Sequence, residues 1–283
     1  EQSLAAATPV GYANAEADPA KAAKNLDAGS PNVITEASKY FDVRALADAC
    51  RRGLRSVEQI THEHRLQSGR LDRRAITRAA IGAQDVFSRR TWTPGMKTAV
   101  LVMLDASGSM IDSVTLDSAL GYRCSRFSAV VGLAAQLMPA LERAGAKNAA
   151  AAFTDRTYAT VQVLKAFGEI ANTDKLLARW SRTAPGGGTP MSLEARWAGR
   201  EIAAQRGVQR RVVLWLCDGQ PNSPAAILTN EFDRQRARGI EHYGIGLQCD
   251  LKPVFRHDEQ IAVSNMAKLP KALEAMLFAT APK

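Results

Sequence analysis

Three oxygen-bearing side chains stand within five residues in Asp105-Ala106-Ser107-Gly108-Ser109. Asp105 offers an anionic oxygen, Ser107 and Ser109 offer hydroxyls, and Gly108 permits a turn sharp enough for the three to converge. Hard oxygen donors on one tight loop suit a small hard cation, Mg²⁺ first, with Mn²⁺ or Ca²⁺ as alternatives. The same spacing also serves as a turn or a helix cap, so the segment alone leaves both readings open. Two further segments carry donors of the same kind. Thr189 lies in Gly186-Gly187-Gly188-Thr189-Pro190, where glycines allow close backbone approach and Pro190 stiffens the exit. Asp218 directly follows the apolar run 212–217 and precedes Gly219. Alone, the first of these reads as a flexible loop and the second as ordinary turn chemistry.

Donors so far apart in the chain converge only if the right elements hold them. Residues 100–104 form a Val- and Leu-rich run without polar alternation, the pattern of a strand buried on both faces. A loop over 112–117 leads to a long helix whose face carries Phe127, Val130, Val131, Ala134, Leu137, Met138 and Leu141 and which Gly145 ends. Residues 149–153 read as a second buried strand, and 158–164 alternate as an antiparallel edge strand. A short helix over 173–182 follows, then a helix N-capped by Ser192 and reaching about residue 205. Strand 212–217, helix 224–238, strand 240–247, a short strand at 260–263 and a closing helix over 269–278 complete the chain. Apolar strands alternating with amphipathic helices predict an α/β fold: a doubly wound, mostly parallel sheet with one antiparallel edge strand. Such sheets bind ligands at the carboxyl ends of their strands. Asp105 and Asp218 fall at two such ends.

The region before residue 96 reads differently. Residues 1–34 are expected to form an extended or flexible arm. Residues 35–95 read as a helical N-terminal region with a basic face. It includes a helical pattern to about residue 67, one helix over 69–80, and a short strand at 86–90. Net charge is +9, and 51–90 carries ten arginines against four acids. Arg51, Arg52, Arg55, Arg73, Arg74, Arg78, Arg89 and Arg90 are the candidate basic surface. Such a surface suits an acidic partner or nucleic acid. With no interleaved aromatics, a solvated or protein-docking face is preferred and nucleic acid is not expected.

Composition excludes other classes. Among 283 residues, 46% are hydrophobic and 6% aromatic, ordinary for an α/β protein. No apolar run approaches the ~18–20 residues that span a bilayer, and the first residues lack the layout of a signal peptide. Cys50, Cys124, Cys217 and Cys249 form no CxxC pair and read as buried free thiols, which favours a cytoplasmic location. His62 and His64 lie in the helical N-terminal part, away from the candidate site, and His242 and His257 read as structural or surface residues. A phosphotransferase with Asp105 as nucleophile would want a second carboxylate two residues on, where Ser107 stands, and Gly186-Gly187-Gly188-Thr189 lacks the lysine of a phosphate-binding P-loop.

Asp105-Ala106-Ser107-Gly108-Ser109-Met110 resembles the first segment of the metal-ion-dependent adhesion site of von Willebrand factor A (VWA) domains. Thr189 and Asp218 match the two later positions of that pattern, in the expected chain order. The resemblance implies a VWA domain over 96–283. It implies that Asp105, Ser107 and Ser109 contact the ion or its waters, with Thr189 and Asp218 direct or through water. Gly108, Gly186, Gly187, Gly188, Pro190 and Gly219 would shape the loops. Only two of the five side chains are anionic, so the ion stays electrophilic and keeps a position that a partner's carboxylate can take.

Flanking residues narrow the branch. Leu71-Asp72-Arg73-Arg74-Ala75, Gly82, Val86-Phe87 and Arg89-Arg90 resemble the approach to the VWA domain in the CobT subunit of aerobic cobaltochelatase. So do Gly186-Gly187-Gly188-Thr189-Pro190-Met191 with Glu194, Ala195 and Trp197, the segment Asp218-Gly219-Gln220-Pro221-Asn222, and Tyr243-Gly244-Ile245-Gly246-Leu247. In that family the VWA subunit is not the catalyst; it pairs with a hexameric AAA+ ATPase of the MoxR (CobS) type to load or remodel a third component. This chain departs in lacking a long acidic segment before the VWA region and in being net basic. The expectation is a non-catalytic, CobT-like accessory subunit. It would work with a MoxR-type ATPase and a client that supplies an acidic residue. The alternatives are an exported adhesion-type VWA domain and a nucleic-acid-associated protein using the arginines of 51–90.

Overall fold

The computed structural model describes residues 31–54, 59–93, 97–117, 122–155, 161–181, 183, 185–218, 221–222, 224–251, 254–263 and 266–279. Helices α1 (Pro31–Ser38) and α2 (Val43–Gly53) come first, then strands β1 (Gln59–Leu66) and β2 (Arg70–Leu71), the short helix α3 (Ile76–Ala80) and strand β3 (Phe87–Thr93). Strand β4 (Thr98–Asp105) leads through a 3₁₀ turn, Gly108–Ile111, into the hairpin β5 (Ser113–Asp117) and β6 (Tyr122–Ser125). Next come α4 (Arg126–Arg143), β7 (Lys147–Phe153), β8 (Val161–Lys165), α5 (Thr173–Trp180) and α6 (Met191–Ala203). The chain continues through β9 (Arg210–Leu216), α7 (Ala225–Arg236), β10 (Ile240–Leu247), β11 (Gln260–Val263) and α8 (Leu269–Ala279).

Six strands form the central sheet in the order β11-β10-β9-β4-β7-β8. All pairs are parallel except β7 with β8, which is antiparallel at the edge. This is the doubly wound, mostly parallel sheet that the strand patterns predict. Every residue of β4 is buried, because both faces of the strand are covered. Val100, Val102 and Leu104 pack into a cluster with Val130 and Leu137 of α4, Ile34 of α1, Leu46 of α2 and Leu273 of α8. Ala99, Leu101 and Met103 face the opposite way, onto Met191 and Ala195 of α6 and Phe232 of α7. The two-residue period of a strand thus divides one apolar run between two cores. From β4 the chain works outward to β7 and β8, then returns to β9 on the other side of β4. Strand order therefore reverses between β4 and β9, and the crevice beyond their carboxyl ends is the topological switch point.

Several expectations are corrected. The helical reading of 35–95 holds for α1, α2 and the short α3, but not for the strands at 59–71 and 87–93. The apolar face of α2, with Leu46, Ala47 and Cys50 buried, stops at Gly53 and Leu54. Beyond it β1, β3 and β2 form an antiparallel sheet in which Gln59 pairs with Thr93 and Leu66 with Phe87. The β-branched and aromatic residues Ile60, Thr61, Thr91 and Trp92 favour the strand state. The single helix expected over 69–80 is interrupted where Asp72 accepts from the Arg74 N–H (3.0 Å) and caps a 3₁₀ turn. The loop expected at 112–117 is the first strand of a hairpin. Gln248 holds its outer edge, accepting from the Thr115 N–H at 3.2 Å and donating to the Thr115 carbonyl at 2.7 Å. Pro190, not Ser192, is the cap position of α6, and Ser192 lies in the first turn. The arm expected over 1–34 ends earlier, since Pro31 opens α1; residues 1–30 lie outside the described residues.

Packing also crosses the boundary drawn at residue 95. A Cβ on Gly132 of α4 would lie 2.9 Å from the Ser38 backbone nitrogen, and one on Gly53 would lie 2.8 Å from the Leu277 Cβ. Glycine at these two crossings lets α1 and α2 seat against α4 and α8.

Candidate metal centre

The carboxyl end of β4 delivers Asp105 to the switch point with 0% exposure. Its Oδ1 accepts from the Ser107 N–H at 2.8 Å, which curls the loop back on itself. Its Oδ2 is buried and has no hydrogen-bond partner among the described residues. Ser107 is buried as well, and its hydroxyl lies 3.0 Å from that of Ser109. Thr189 and Asp218 are buried at 3% and 4% exposure. Asp218 stands just past the end of β9, the strand paired with β4.

Backbone hydrogen bonds tie these loops together. The Gly108 N–H donates to the Gly187 carbonyl and the Gly186 N–H to the Ala106 carbonyl, each at 2.8 Å. The Asn222 N–H donates to the Thr189 carbonyl at 3.0 Å, joining the loop after β9 to the glycine loop. Gly187 sits at φ +77, a left-handed conformation that favours glycine. A Cβ on Gly188 would lie 1.9 Å from Asn222 Nδ2 and 2.6 Å from Asp155 Oδ2, so this position admits no side chain without displacing both. Gly219 lies outside the described residues.

Asp155, Asn222 and Thr154 were not among the sequence candidates. Asp155 accepts from the Gly188 N–H and, at 3.3 Å, from the Asn222 side-chain amide. Thr154 donates its hydroxyl to the Gly186 carbonyl. Both follow the end of β7, the other neighbour of β4, so the rule that singled out Asp218 applies to Asp155 as well. Arg126 braces the far side: its guanidinium donates to the Ser109 carbonyl at 3.2 Å and lies 3.7 Å from Asp112.

Electrostatics follow from burial. Desolvation pushes the Asp105 carboxyl up to about 7; hydrogen bonds from Ser107 oppose the rise and the nearby Asp218 charge adds to it. Asp105 makes no ion pair among the described residues. Two carboxylates held beside hydroxyls in a desolvated crevice are a donor set for a hard cation. Among the described residues no three His, Cys, Asp or Glu side chains cluster, so an ion here would depend on hydroxyl and water oxygens beside the two carboxylates. The residues present therefore fit a small divalent ion with a low anionic count. Asp105, Ser107, Ser109, Thr189 and Asp218 would hold it.

The candidate basic residues do not lie on one helix. Arg51 pairs with Asp48 at 3.3 Å, Arg52 with Glu274 at 2.7 Å and Arg78 with Asp85 at 2.6 Å. Arg73 and Arg74 lie on the 3₁₀ turn and Arg89 on β3. Arg55 and the side chain of Arg90 fall outside the described residues. The described arginines are thus spread over α2, the 3₁₀ turn, α3 and β3, and three of them meet carboxylates. His64 contacts Asp72 at 2.7 Å on the surface, and His242 is buried.

No protein-family model matches the chain, and no curated protein matches it. Solved structures similar to it include the SpRpn10 VWA domain, 11% identical, at TM-score 0.46 over 62% of this chain and 95% of that one. A second is the pilus adhesin SpaC from Lactobacillus rhamnosus GG in its open conformation, 14% identical, at TM-score 0.47 over 69% of this chain and 31% of that one. A third is an aerotolerance-related membrane protein from Bacteroides fragilis NCTC 9343, 16% identical, at TM-score 0.45 over 65% of this chain and all of that one.

Proposed function

We propose that this chain is a VWA-type interaction module that grips a carboxylate of a partner protein through a divalent cation, Mg²⁺ by preference. One observation carries the reading: Asp105 Oδ2 is buried at the switch point with no hydrogen-bond partner among the described residues, the Asp218 charge nearby and two hydroxyls on its own loop. An ion bound there supplies an electrophilic position that an incoming carboxylate can occupy. The chain's own residues do the rest. Asp105 and Asp218 provide the negative charge, Ser107, Ser109 and Thr189 provide neutral oxygens, and the hydrogen-bonded loops keep them in place. Ile111, which ends the 3₁₀ turn after Asp105–Ser109, and Leu193 and Ile227, in the first turns of α6 and α7, stand 61%, 51% and 47% exposed. Such residues give a docking partner apolar contact beside the charge.

The sequence resemblance to CobT subunits carries the finer proposal. The partner is a MoxR-type AAA+ ATPase, the client supplies an acidic residue, and this chain is a non-catalytic subunit of the assembly in the cytoplasm. Among the described residues no helix is long and apolar enough to cross a membrane. The test has two parts. Calorimetric Mg²⁺ titration should show saturable binding that Asp105→Ala abolishes, while circular dichroism remains that of the folded chain. Capture of the co-expressed ATPase should be lost in EDTA and restored by Mg²⁺. Unchanged ion binding by the variant, or EDTA-insensitive capture, would overturn the reading.

A further inference from the structure

A second concave site lies at the opposite end of the sheet. A cavity of about 540 Å³ opens between α6, α7 and the amino ends of β9 and β10. Five arginines line it, Arg196, Arg200, Arg211, Arg234 and Arg238, with one carboxylate, Glu231. Arg196 and Arg200 are four residues apart on α6, while Arg234 lies in the last turn of α7 and Arg238 two residues past its end. The two pairs flank Arg211 at the start of β9. Glu231 accepts from Gln235 at 2.9 Å and is shared between Arg196 at 3.6 Å and Arg234 at 3.7 Å. Arg211 donates to the Gln205 carbonyl at 3.2 Å, and its buried Nε has no hydrogen-bond partner among the described residues.

Helix dipoles account for part of this, since cations near the last turns of α6 and α7 are favourable. They do not account for the convergence of five guanidinium groups on one cavity, which concentrates like charge around a single acid. The carbonyl ends of both helices face this end of the domain, so an anion must be held by guanidinium forks rather than backbone N–H groups. Planar forks match phosphate oxygens bidentately. The volume suits a small molecule rather than a macromolecular strand.

We propose that this groove binds an oligophosphate anion, free or as the tail of a nucleotide. The site is separate from the metal loops, since a strand of seven residues such as β9 separates them by roughly 20 Å. It does not depend on the cation reading. The helices that wall the groove are also the ones that leave the metal loops, α6 one residue after Pro190 and α7 shortly after Asp218.

The experiment titrates sodium tripolyphosphate and ATP into the whole chain by calorimetry, in EDTA and low salt, with sodium sulfate, a polyglutamate peptide and a single-stranded oligonucleotide alongside. Tripolyphosphate should bind saturably and more tightly than sulfate, and should raise the melting temperature. Arg200→Gln with Arg238→Gln, both exposed, should weaken it by about tenfold or more. Asp105→Ala should bind it like the unaltered chain, so loss of the metal reading leaves this result standing. Equal affinity for tripolyphosphate and ATP assigns the free anion, and tighter ATP binding assigns the nucleotide. Affinity no better than sulfate, insensitivity to the double variant, or binding of only the peptide or only the oligonucleotide would overturn the proposal.

Discussion

At the scale of single residues, the crevice depends on side chains one step behind its candidate ligands. Asp155 holds the Gly188 N–H and the Asn222 amide, and Asn222 in turn holds the Thr189 carbonyl. Partners one step behind a metal ligand fix its position and commonly matter by ~10–100-fold in affinity. Gly188→Ala places a methyl group where Asn222 and Asp155 meet, so we expect Mg²⁺ affinity to fall by about that factor. The fold should survive, because the collision is confined to loop side chains. Calorimetric titration beside a thermal melt checks this; an unchanged affinity would show that the loop yields without cost. The donors of Asp105–Ser109 are adjacent in the chain and Asp218 follows a strand end, which made both readable as candidates, whereas Thr189 was marked only by its glycine-rich turn and its match to the VWA pattern. Asp155 was equally accessible to that rule but carries no flanking glycine or serine to mark it. Asn222 contributes through a side-chain amide and a backbone N–H, which no residue spacing announces.

Elements on the α6–α7 side are joined by a buried polar chain. The Trp215 indole N–H on β9 donates to His242 Nδ1 on β10 at 3.2 Å, which leaves the proton on Nε2, 3.0 Å from Gln235 Oε1 on α7. Gln235 then donates to the Ala195 carbonyl of α6 at 2.7 Å. Gly199 makes room for this, since a Cβ there would lie 2.4 Å from Gln235 Oε1. Burial, with the nearby Arg236 charge adding to it, pushes the His242 pKa down to about 3 from 6.5. Phe232 stacks on the ring at 4.2 Å, and Glu231 reaches the site only through Gln235. The unfolded chain therefore takes up a proton below pH 6.5 that the folded chain refuses, and stability falls as pH drops from 6.5 toward 3. The loss from this group is on the order of 5 kcal/mol across that window. His242→Gln should start less stable at neutral pH, and its deficit should shrink on acidification. Denaturant midpoints at several pH values decide it; parallel curves for the two proteins would refute the role given to His242. Strand patterns made β9 and β10 legible as elements. The polar chain between them was not, because a single histidine in an apolar strand shows neither its tautomer nor its partners.

At the scale of the molecule, the sequence divides where the structure does not. Helical periodicity in 35–54 was visible, but what its apolar face covers was not, because the covering contacts come from residues far along the chain. Ile34, Phe41, Leu46 and Leu54 are buried in the same cluster as Leu133 and Leu137 of α4 and Leu273 and Leu277 of α8. Arg210, with 0% side-chain exposure, clamps the arrangement. It donates to the carbonyls of Gly53 at 3.0 Å and Leu277 at 2.7 Å and pairs with Glu241 at 2.7 Å. Tyr122 adds a stacked contact with Tyr40 at 4.8 Å and a hydrogen bond to the Val33 carbonyl at 3.2 Å. Four large apolar side chains at roughly 1.5–3 kcal/mol each amount to ~6–12 kcal/mol, comparable with the whole stability of a domain at ~5–15 kcal/mol. A fragment of residues 96–283, cut where the sequence places its boundary, should therefore expose the outer face of α4, bind a hydrophobic dye and lose its cooperative thermal transition. Adding residues 31–54 back as a separate peptide should restore part of the transition, which distinguishes missing packing from damage at the cut. A fragment of 96–283 that melts cooperatively at the temperature of the full chain would show that α1 and α2 are passengers on a self-sufficient domain.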